Sequence, residues 1–213
     1  MRPLWVFDLD NTLHDAVPHI FPHINRSMTD YLQQHLGLDR DEADGLRKRY
    51  WEKYGATLCG LMRHHETEPD HFLRHTHDFP ELSKMVVRDP TLKRSLRALR
   101  GRKVVFSNAP LDYALSVLKI LGVAEYFDEV FSIEHSKYRP KPDRYGFFRI
   151  FGKVRKKPSM LIMVEDDLEN LRTAKKLGMG TVWVTSSRQK PAYVDMNVSS
   201  IGELARRQFS LYK

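Results

Sequence analysis

Trp5-Val6-Phe7-Asp8-Leu9-Asp10-Asn11-Thr12-Leu13 carries an apolar run straight into two carboxylates. The run starts at Leu4, and Asn and Thr follow the second carboxylate at once. An apolar stretch bounded by turn formers predicts a buried strand. In open α/β sheets, ligands sit beyond the carboxyl ends of such strands. Asp8 and Asp10 are therefore expected at the carboxyl edge of a sheet. Their i, i+2 spacing puts both side chains on one side of an extended segment. Paired carboxylates repel and need a cation or a shared proton. Hard oxygen ligands of this kind suit Mg²⁺. Taken alone, Asp-x-Asp fits a strand running into a charged turn equally well.

After Asp15 the pattern becomes helical. Ile20, Ile24, Met28, Tyr31, Leu32 and Leu36 recur at three- and four-residue steps, and Gly37 stops the series. Leu46, Tyr50, Tyr54, Leu58, Leu61 and Met62 read the same way, and Glu68-Pro69 opens a further short helix. Leu92, Leu96 and Leu99 form another, closed by Gly101. Only then does a second apolar strand arrive, Lys103 to Phe106, ending in Ser107-Asn108. A parallel crossover needs a dozen or so residues, whereas more than ninety lie between these two strands. That excess is too helical for a loop and too long for one crossover. Residues 16–84 are accordingly expected to be an inserted helical cap, with 1–15 and 85–213 forming the core.

Downstream, strand and helix alternate. Leu111, Ala114, Leu115 and Leu118 carry a helix that Pro110 opens and Gly122 closes. Glu129 to Ile133 reads as a third strand, and Pro140-Lys141-Pro142-Asp143 as a rigid loop into a helix through Phe147, Phe148 and Phe151. Met160 to Val164 is a fourth strand, ending in Glu165-Asp166-Asp167. Leu168, Leu171, Ala174 and Leu177 give the next helix, and Thr181 to Val184 a fifth strand. Continuous apolar strands alternating with helices imply a parallel α/β sheet covered on both faces. Its carboxyl edge would gather Asp8 and Asp10, Ser107 and Asn108, the loop at Lys141, and Glu165 to Asp167.

Composition narrows the class. Hydrophobic content of 41% across 213 residues favours a packed globular chain. No apolar run approaches the ~20 residues of a membrane helix. Two aspartates occupy what would be the apolar part of a signal peptide, and the one cysteine, Cys59, excludes an internal disulfide. A cytoplasmic protein is expected. The net charge of +8 is spread along the chain. Its densest cluster, Lys153 to Lys157, has no aromatic interleaving, so a nucleic-acid groove is not expected.

Phosphate-monoester hydrolysis asks for the parts this edge would hold: a carboxylate nucleophile, a cation and a lysine against charge, and donors for the phosphate oxygens. The first stretch resembles the Asp-x-Asp-x-Thr motif of the haloacid dehalogenase superfamily. Ser107, Lys141 within Arg-Pro-Lys-Pro-Asp, and Asp166 four residues before Asn170 match its other three motifs. The resemblance implies a Rossmann-like parallel core with a cap inserted after the first strand, and Mg²⁺-dependent phosphatase chemistry. It makes Asp8 the nucleophile and Asp10 the general acid and base. Ser107 would bind the phosphate, Asn108 would follow at the substrate, and Lys141 would pair with Asp8. Asp8, Asp10 (through its backbone carbonyl) and Asp166 would hold the metal. Thr12 is expected to secure the turn rather than touch substrate.

Phe-Asp-Leu-Asp-Asn-Thr-Leu, Ser-Asn-Ala and Asp-Asp-x-x-Asn-Leu are most similar to the pyrimidine 5′-nucleotidase group, which implies nucleoside 5′-monophosphates as substrates. A sugar-phosphate phosphatase or phosphomutase, or a non-catalytic binding protein on the same fold, are the alternatives. A haloacid dehalogenase generally lacks the second aspartate. Glu165 departs from the common pattern and is open to a direct or an indirect role at the metal, and Asp167 replaces a frequent Ser. His14 either reaches the substrate or packs the turn. His19 and His23, His64-His65, and His71, His75 and His77 cluster in the cap, but no neighbouring cysteine supports zinc, and none is expected.

Overall fold

A computed structural model describes residues 3–208. Six parallel strands form the sheet: β1 (Leu4–Phe7), β2 (Arg102–Phe106), β3 (Glu129–Phe131), β4 (Leu161–Glu165), β5 (Gly180–Val184) and β6 (Met196–Val198), in the order β3-β2-β1-β4-β5-β6. This is the doubly wound parallel sheet expected. Strand β1 is central, with Phe7 level with Val105 on one side and Val164 on the other. The order reverses between β1 and β4, and such a switch point opens a crevice at the carboxyl ends of the strands.

Period-2 alternation sorts the strand residues to two faces. Trp5, Phe7, Val105 and Val164 belong to one apolar cluster, and Leu4, Val6, Val104 and Met163 to the other. The first cluster is covered by α6 (Leu92–Ala98), α7 (Leu111–Leu121) and α10 (Ile201–Arg207), the second by α8 (Arg144–Val154) and α9 (Leu168–Lys176). The Trp5 indole donates to the Arg100 carbonyl at 2.9 Å, so its one polar atom is satisfied inside the core.

Between β1 and β2 lie α1 (Ile20–Leu36), α2 (Arg40–Tyr54), α3 (Thr57–His64), α4 (Pro69–Thr76) and the short α5 (Leu82–Met85). Helices α1 to α4 close over a third apolar cluster of their own, built on Tyr31, Leu32, Leu58, Leu61, Phe72 and Leu73. Ile133, from the loop after β3, plugs into this cluster, and Tyr138 in that loop donates to Asp70. The chain leaves for this segment at Asp15 and returns at Val87, and the two residues pair as an antiparallel bridge.

Several sequence expectations are corrected. The periodic series from Leu46 to Met62 is two helices. Gly55, at φ 78°, ends α2 with its N–H bonded to the Trp51 carbonyl, a left-handed stop that glycine takes at no steric cost. Leu115, expected on the buried face of its helix, is 45% exposed, while Tyr113 and Val117 take that face. The third strand stops at Phe131, because Ile133 turns to pack under the helical segment. Strand β6, at three residues, carries too little alternation to predict, and the seven-residue α10 buries only Ile201 and Leu204, too few for a helical period.

Candidate active site

The backbone after β1 stays extended for one further residue, since the Asp8 N–H donates to the Val164 carbonyl at 2.9 Å. A tight turn follows, closed by the Leu13 N–H on the Leu9 carbonyl at 2.9 Å. Asn11 takes φ 62°, a left-handed conformation that Asn tolerates better than most residues. Its side-chain oxygen accepts from the Ala16 N–H at 3.0 Å. Asn11, not Thr12, thus ties the turn: the Thr12 hydroxyl is buried without a hydrogen-bond partner.

Asp8 lies at the switch point and is 7% exposed. Lys141 reaches it through the loop before α8, donating to Asp8 Oδ1 at 2.7 Å and to Glu165 Oε2 at 2.7 Å. Lys141 and Glu165 are buried as well. The lysine's ammonium also lies 5.2 Å from the centre of the Phe106 ring. Asn108 fixes the lysine's backbone from both sides, its Oδ1 accepting from the Lys141 N–H at 2.7 Å and its Nδ2 donating to the Lys141 carbonyl at 3.2 Å. Both polar ends of Asn108 are therefore engaged with Lys141. Ser107 is buried beside it and accepts from the Ala109 N–H at 3.0 Å.

The electrostatics are those of too many carboxylates for one cation. Burial pushes the Asp8 carboxyl up to about 6, against the opposing pull of Lys141 and with a further push from Asp166. Burial and Asp8 likewise raise Glu165 well above the usual carboxylate range. Burial alone would lower Lys141, but Asp8 and Glu165 outweigh it and hold the ammonium above its ordinary range. Burial also raises Asp166, opposed by hydrogen bonds with Glu165 and Asn11. Oxygens of Asp8, Glu165 and Asp166 lie within 4.8 Å of one another. Three close carboxylates facing one ammonium are a donor set for a hard divalent cation.

Asp166 is fixed from behind, its carbonyl accepting from the Trp183 indole at 2.8 Å. Asp167 plays a different part. It caps α9, accepting from Glu169 N–H at 2.7 Å and Asn170 N–H at 3.0 Å.

Asp10 stands apart from that carboxylate group. Its Oδ1 accepts from the Tyr113 hydroxyl at 2.7 Å and from His14 Nε2 at 2.9 Å. His14 is buried and its Nδ1 has no partner, so the ring packs the turn and holds Asp10. Burial, with Asp10 adding to it, pushes the Tyr113 hydroxyl far above its ordinary range, which keeps it a donor. Above Tyr113 sit residues of the helical segment: the Phe79 ring at 5.3 Å and the His77 ring at 5.6 Å. Burial pushes His77 down to about 4, against the pull of Asp10. His23 in turn lies 4.6 Å from Phe79 and bonds the Asp78 carbonyl at 2.7 Å.

Five of the residues expected at the sheet edge, Asp8, Asn108, Lys141, Glu165 and Asp166, are in mutual contact or within a few ångströms. Tyr113, Phe79 and His77 were not anticipated. Tyr113 could have been found as the one hydroxyl on the apolar face of the helix that follows Ser107. Phe79 and His77 carry no local signal.

Comparison with known proteins identifies the fold and the family. Phosphate metabolism protein 8 of Saccharomyces cerevisiae is 26% identical over 230 aligned positions, which cover 100% of this chain and 70% of the yeast protein. The crystal structure of a HAD phosphatase from Thermococcus onnurineus superposes with a TM-score of 0.69 at 21% identity, covering 99% of this chain and 98% of that one. The L-2-haloacid dehalogenase from Xanthobacter autotrophicus, with chloropropionic acid covalently bound, has the same fold at a TM-score of 0.62 and 17% identity, covering 98% and 99%. The profile of the haloacid dehalogenase-like hydrolases matches residues 4–178, a span that includes Asp8, Ser107, Lys141 and Asp166, and the chain belongs to that family.

Proposed function

We propose that this enzyme, a phosphatase of the haloacid dehalogenase-like family, is a Mg²⁺-dependent phosphomonoester hydrolase working through an aspartyl-phosphate on Asp8. Its proposed substrates are nucleoside 5′-monophosphates, pyrimidine ones first. The observation that carries the chemistry is the division of labour between two aspartates. Asp8 is buried against Lys141, while Asp10 is held two residues away by Tyr113 and His14.

In the first step an Asp8 oxygen bonds to phosphorus as the bond from phosphorus to the leaving oxygen breaks. Asp10 gives its proton to that oxygen. In the second step Asp10 takes a proton from water, the water oxygen bonds to phosphorus, and the bond to Asp8 breaks. General acid–base help of this kind is worth ~10²–10⁴-fold. Lys141 balances charge on Asp8 and on the phosphate, and Ser107 donates to a phosphate oxygen. Asn108 acts as a positioning residue for Lys141 and lines the substrate's approach. The Asp8 and Asp166 carboxylates and the Asp10 carbonyl would hold Mg²⁺, with Glu165 beside them. When bound, the ion supplies positive charge at the phosphate oxygens.

Asp10 separates this reading from dehalogenation, where no leaving oxygen needs a proton. Residues 16–84 are proposed as the cap and 1–15 with 85–213 as the core. A leaving group is proposed to lie beside Phe79 and His77, which pack on the Tyr113 ring whose hydroxyl holds Asp10, with His23 behind Phe79. Among the described residues no helix is long and apolar enough to cross a membrane. A small phosphorylated metabolite in the cytoplasm is the proposed partner.

The test is a phosphate-release screen with Mg²⁺ across nucleotides, sugar phosphates and an aryl phosphate. Hydrolysis that stops with EDTA and returns with Mg²⁺ is expected. Turnover unaffected by chelation would overturn the metal assignment. Sugar phosphates exceeding nucleotides by more than about tenfold in kcat/KM, ~1.4 kcal/mol, would overturn the substrate assignment. An isomerised sugar phosphate with no phosphate released would identify a mutase.

A further inference from the structure

Three histidines from two helices meet on the outer surface of the helical segment. His35 lies in the last turn of α1, and His71 and His75 lie one turn apart on α4. One nitrogen of each falls within 4.8 Å of the others. The ring centres are 4.3 Å apart for His71 and His75, 5.0 Å for His35 and His71, and 5.7 Å for His35 and His75.

The rings stand on a fixed floor. Tyr31 is buried, packs edge-on against Phe72 at 5.0 Å, and lies 4.1 Å beneath His35. Its hydroxyl is 2.8 Å from His71 Nδ1. His75 Nδ1 lies 2.9 Å from the His71 carbonyl. A carbonyl only accepts, so His75 carries its proton on Nδ1, and its Nε2 is left as a free lone pair in the neutral ring. Metal-ligating histidines are oriented in this way, with the second nitrogen bonded to a backbone carbonyl or similar group. The remaining Nε2 atoms of His71 and His75 are not engaged by protein groups in any hydrogen bond of the described residues.

We infer that His35, His71 and His75 form a surface site for a borderline divalent transition-metal ion, Zn²⁺ or Ni²⁺, that cross-links α1 to α4. Imidazole nitrogen selects such ions, whereas Mg²⁺ prefers oxygen. With Zn–N bonds of about 2.0–2.1 Å, tetrahedral donors stand roughly 3.4 Å apart, which the exposed His35 and His75 rings reach by small rotations. Three nitrogens leave one position for water. The carboxylate centre at the sheet edge and the histidine site then differ in ligand chemistry, so each can be titrated in the presence of the other's ion.

The test uses the whole chain with Mg²⁺ in large excess, to occupy oxygen ligands, and Zn²⁺ titrated by calorimetry. One equivalent of saturable binding at micromolar Zn²⁺ is expected, with a matching rise in the thermal midpoint. His35→Asn and His75→Asn, both surface changes, should each weaken Zn²⁺ by at least roughly tenfold, about 1.4 kcal/mol, and abolish the thermal shift. Their Mg²⁺-dependent turnover and circular dichroism should match the parent, which separates loss of the site from loss of the fold. Absence of saturable Zn²⁺ binding, or binding unchanged in both variants, overturns the site.

Discussion

Two places in this molecule collect ionisable side chains, and they are built in opposite ways. At the sheet edge, Asp8, Lys141 and Glu165 are sealed from solvent, and their ion pairs are short and direct. On the helical segment, His35 and His75 are exposed and rest on an aromatic floor. The first arrangement spends folding stability to hold charge where chemistry needs it. The second costs little, because water still reaches the rings. Among the helical residues that approach the sheet edge, Phe79 and His77 pack on Tyr113. Loss of Asp8 should therefore slow every ester alike, loss of the groups that hold Asp10 should slow esters with poor leaving groups most, and changes in the helical segment should alter the ranking of esters by the group they carry.

The sharpest test of that contrast is Asp8→Asn. The side chain keeps its shape and loses the nucleophile, so turnover of all esters should fall below detection. Intact mass after rapid acid quench should show no phosphate adduct. An adduct in this variant, or one mapped to Asp10, would reverse the two roles.

Lys141→Met comes next, and it tests the buried charge itself. Removing one partner of a buried ion pair typically costs about 3–5 kcal/mol, because Asp8 and Glu165 are left facing each other. Urea unfolding should show a loss of that order. Adding Glu165→Gln to Lys141→Met should recover part of it, since one of the two stranded carboxylates becomes neutral. A loss below about 1 kcal/mol, the scale of an exposed pair, would mean that water reaches the site.

Tyr113→Phe asks whether Asp10 is held or merely touched. Hydrogen bonds to a charged group contribute about 1.5–3 kcal/mol, so kcat for an alkyl phosphate should fall roughly 10–150-fold. A nitrophenyl ester leaves without a proton, and its phosphorylation of Asp8 should be slowed far less. Equal slowing of both would mean that Tyr113 supports the fold and not the acid.

How much of this was legible in the sequence follows from what fixes each residue. Asp8, Ser107 and Asp166 follow apolar strands, and a parallel sheet sends every strand's end to one edge. Reading the strands was thus enough to bring them together. Lys141 could be placed because prolines flank it. Tyr113 sits on a helix whose buried face keeps the predicted Ala114 and Leu118 but takes Tyr113 and Val117 in place of Leu115. His35, His71 and His75 meet only because α1 and α4 pack, and no spacing within either helix records that contact. Hydroxyls often bond turn amides, which favours Thr12 for the turn, yet its neighbour Asn11 can both adopt the left-handed backbone and reach Ala16.

Phe79→Leu carries the smallest effect and bears most directly on where substrate choice resides. Phe79 is half-buried, lying 5.3 Å from Tyr113 and 4.6 Å from His23. Leucine keeps the apolar bulk and removes the aromatic contacts, which contribute about 0.5–1.5 kcal/mol beyond area burial. If the ring helps to read a nucleotide base or sugar, kcat/KM for a nucleoside 5′-monophosphate should drop roughly 2–12-fold while the aryl phosphate is unchanged. The effect should reside in KM, because the contact is as good with bound substrate as in the transition state. If Phe79 serves only to press Tyr113 onto Asp10, both esters should slow in kcat, and the alkyl ester should slow more, as in Tyr113→Phe. The double variant then separates the two: effects that multiply place Phe79 at the substrate, and effects that fail to multiply place it behind the acid.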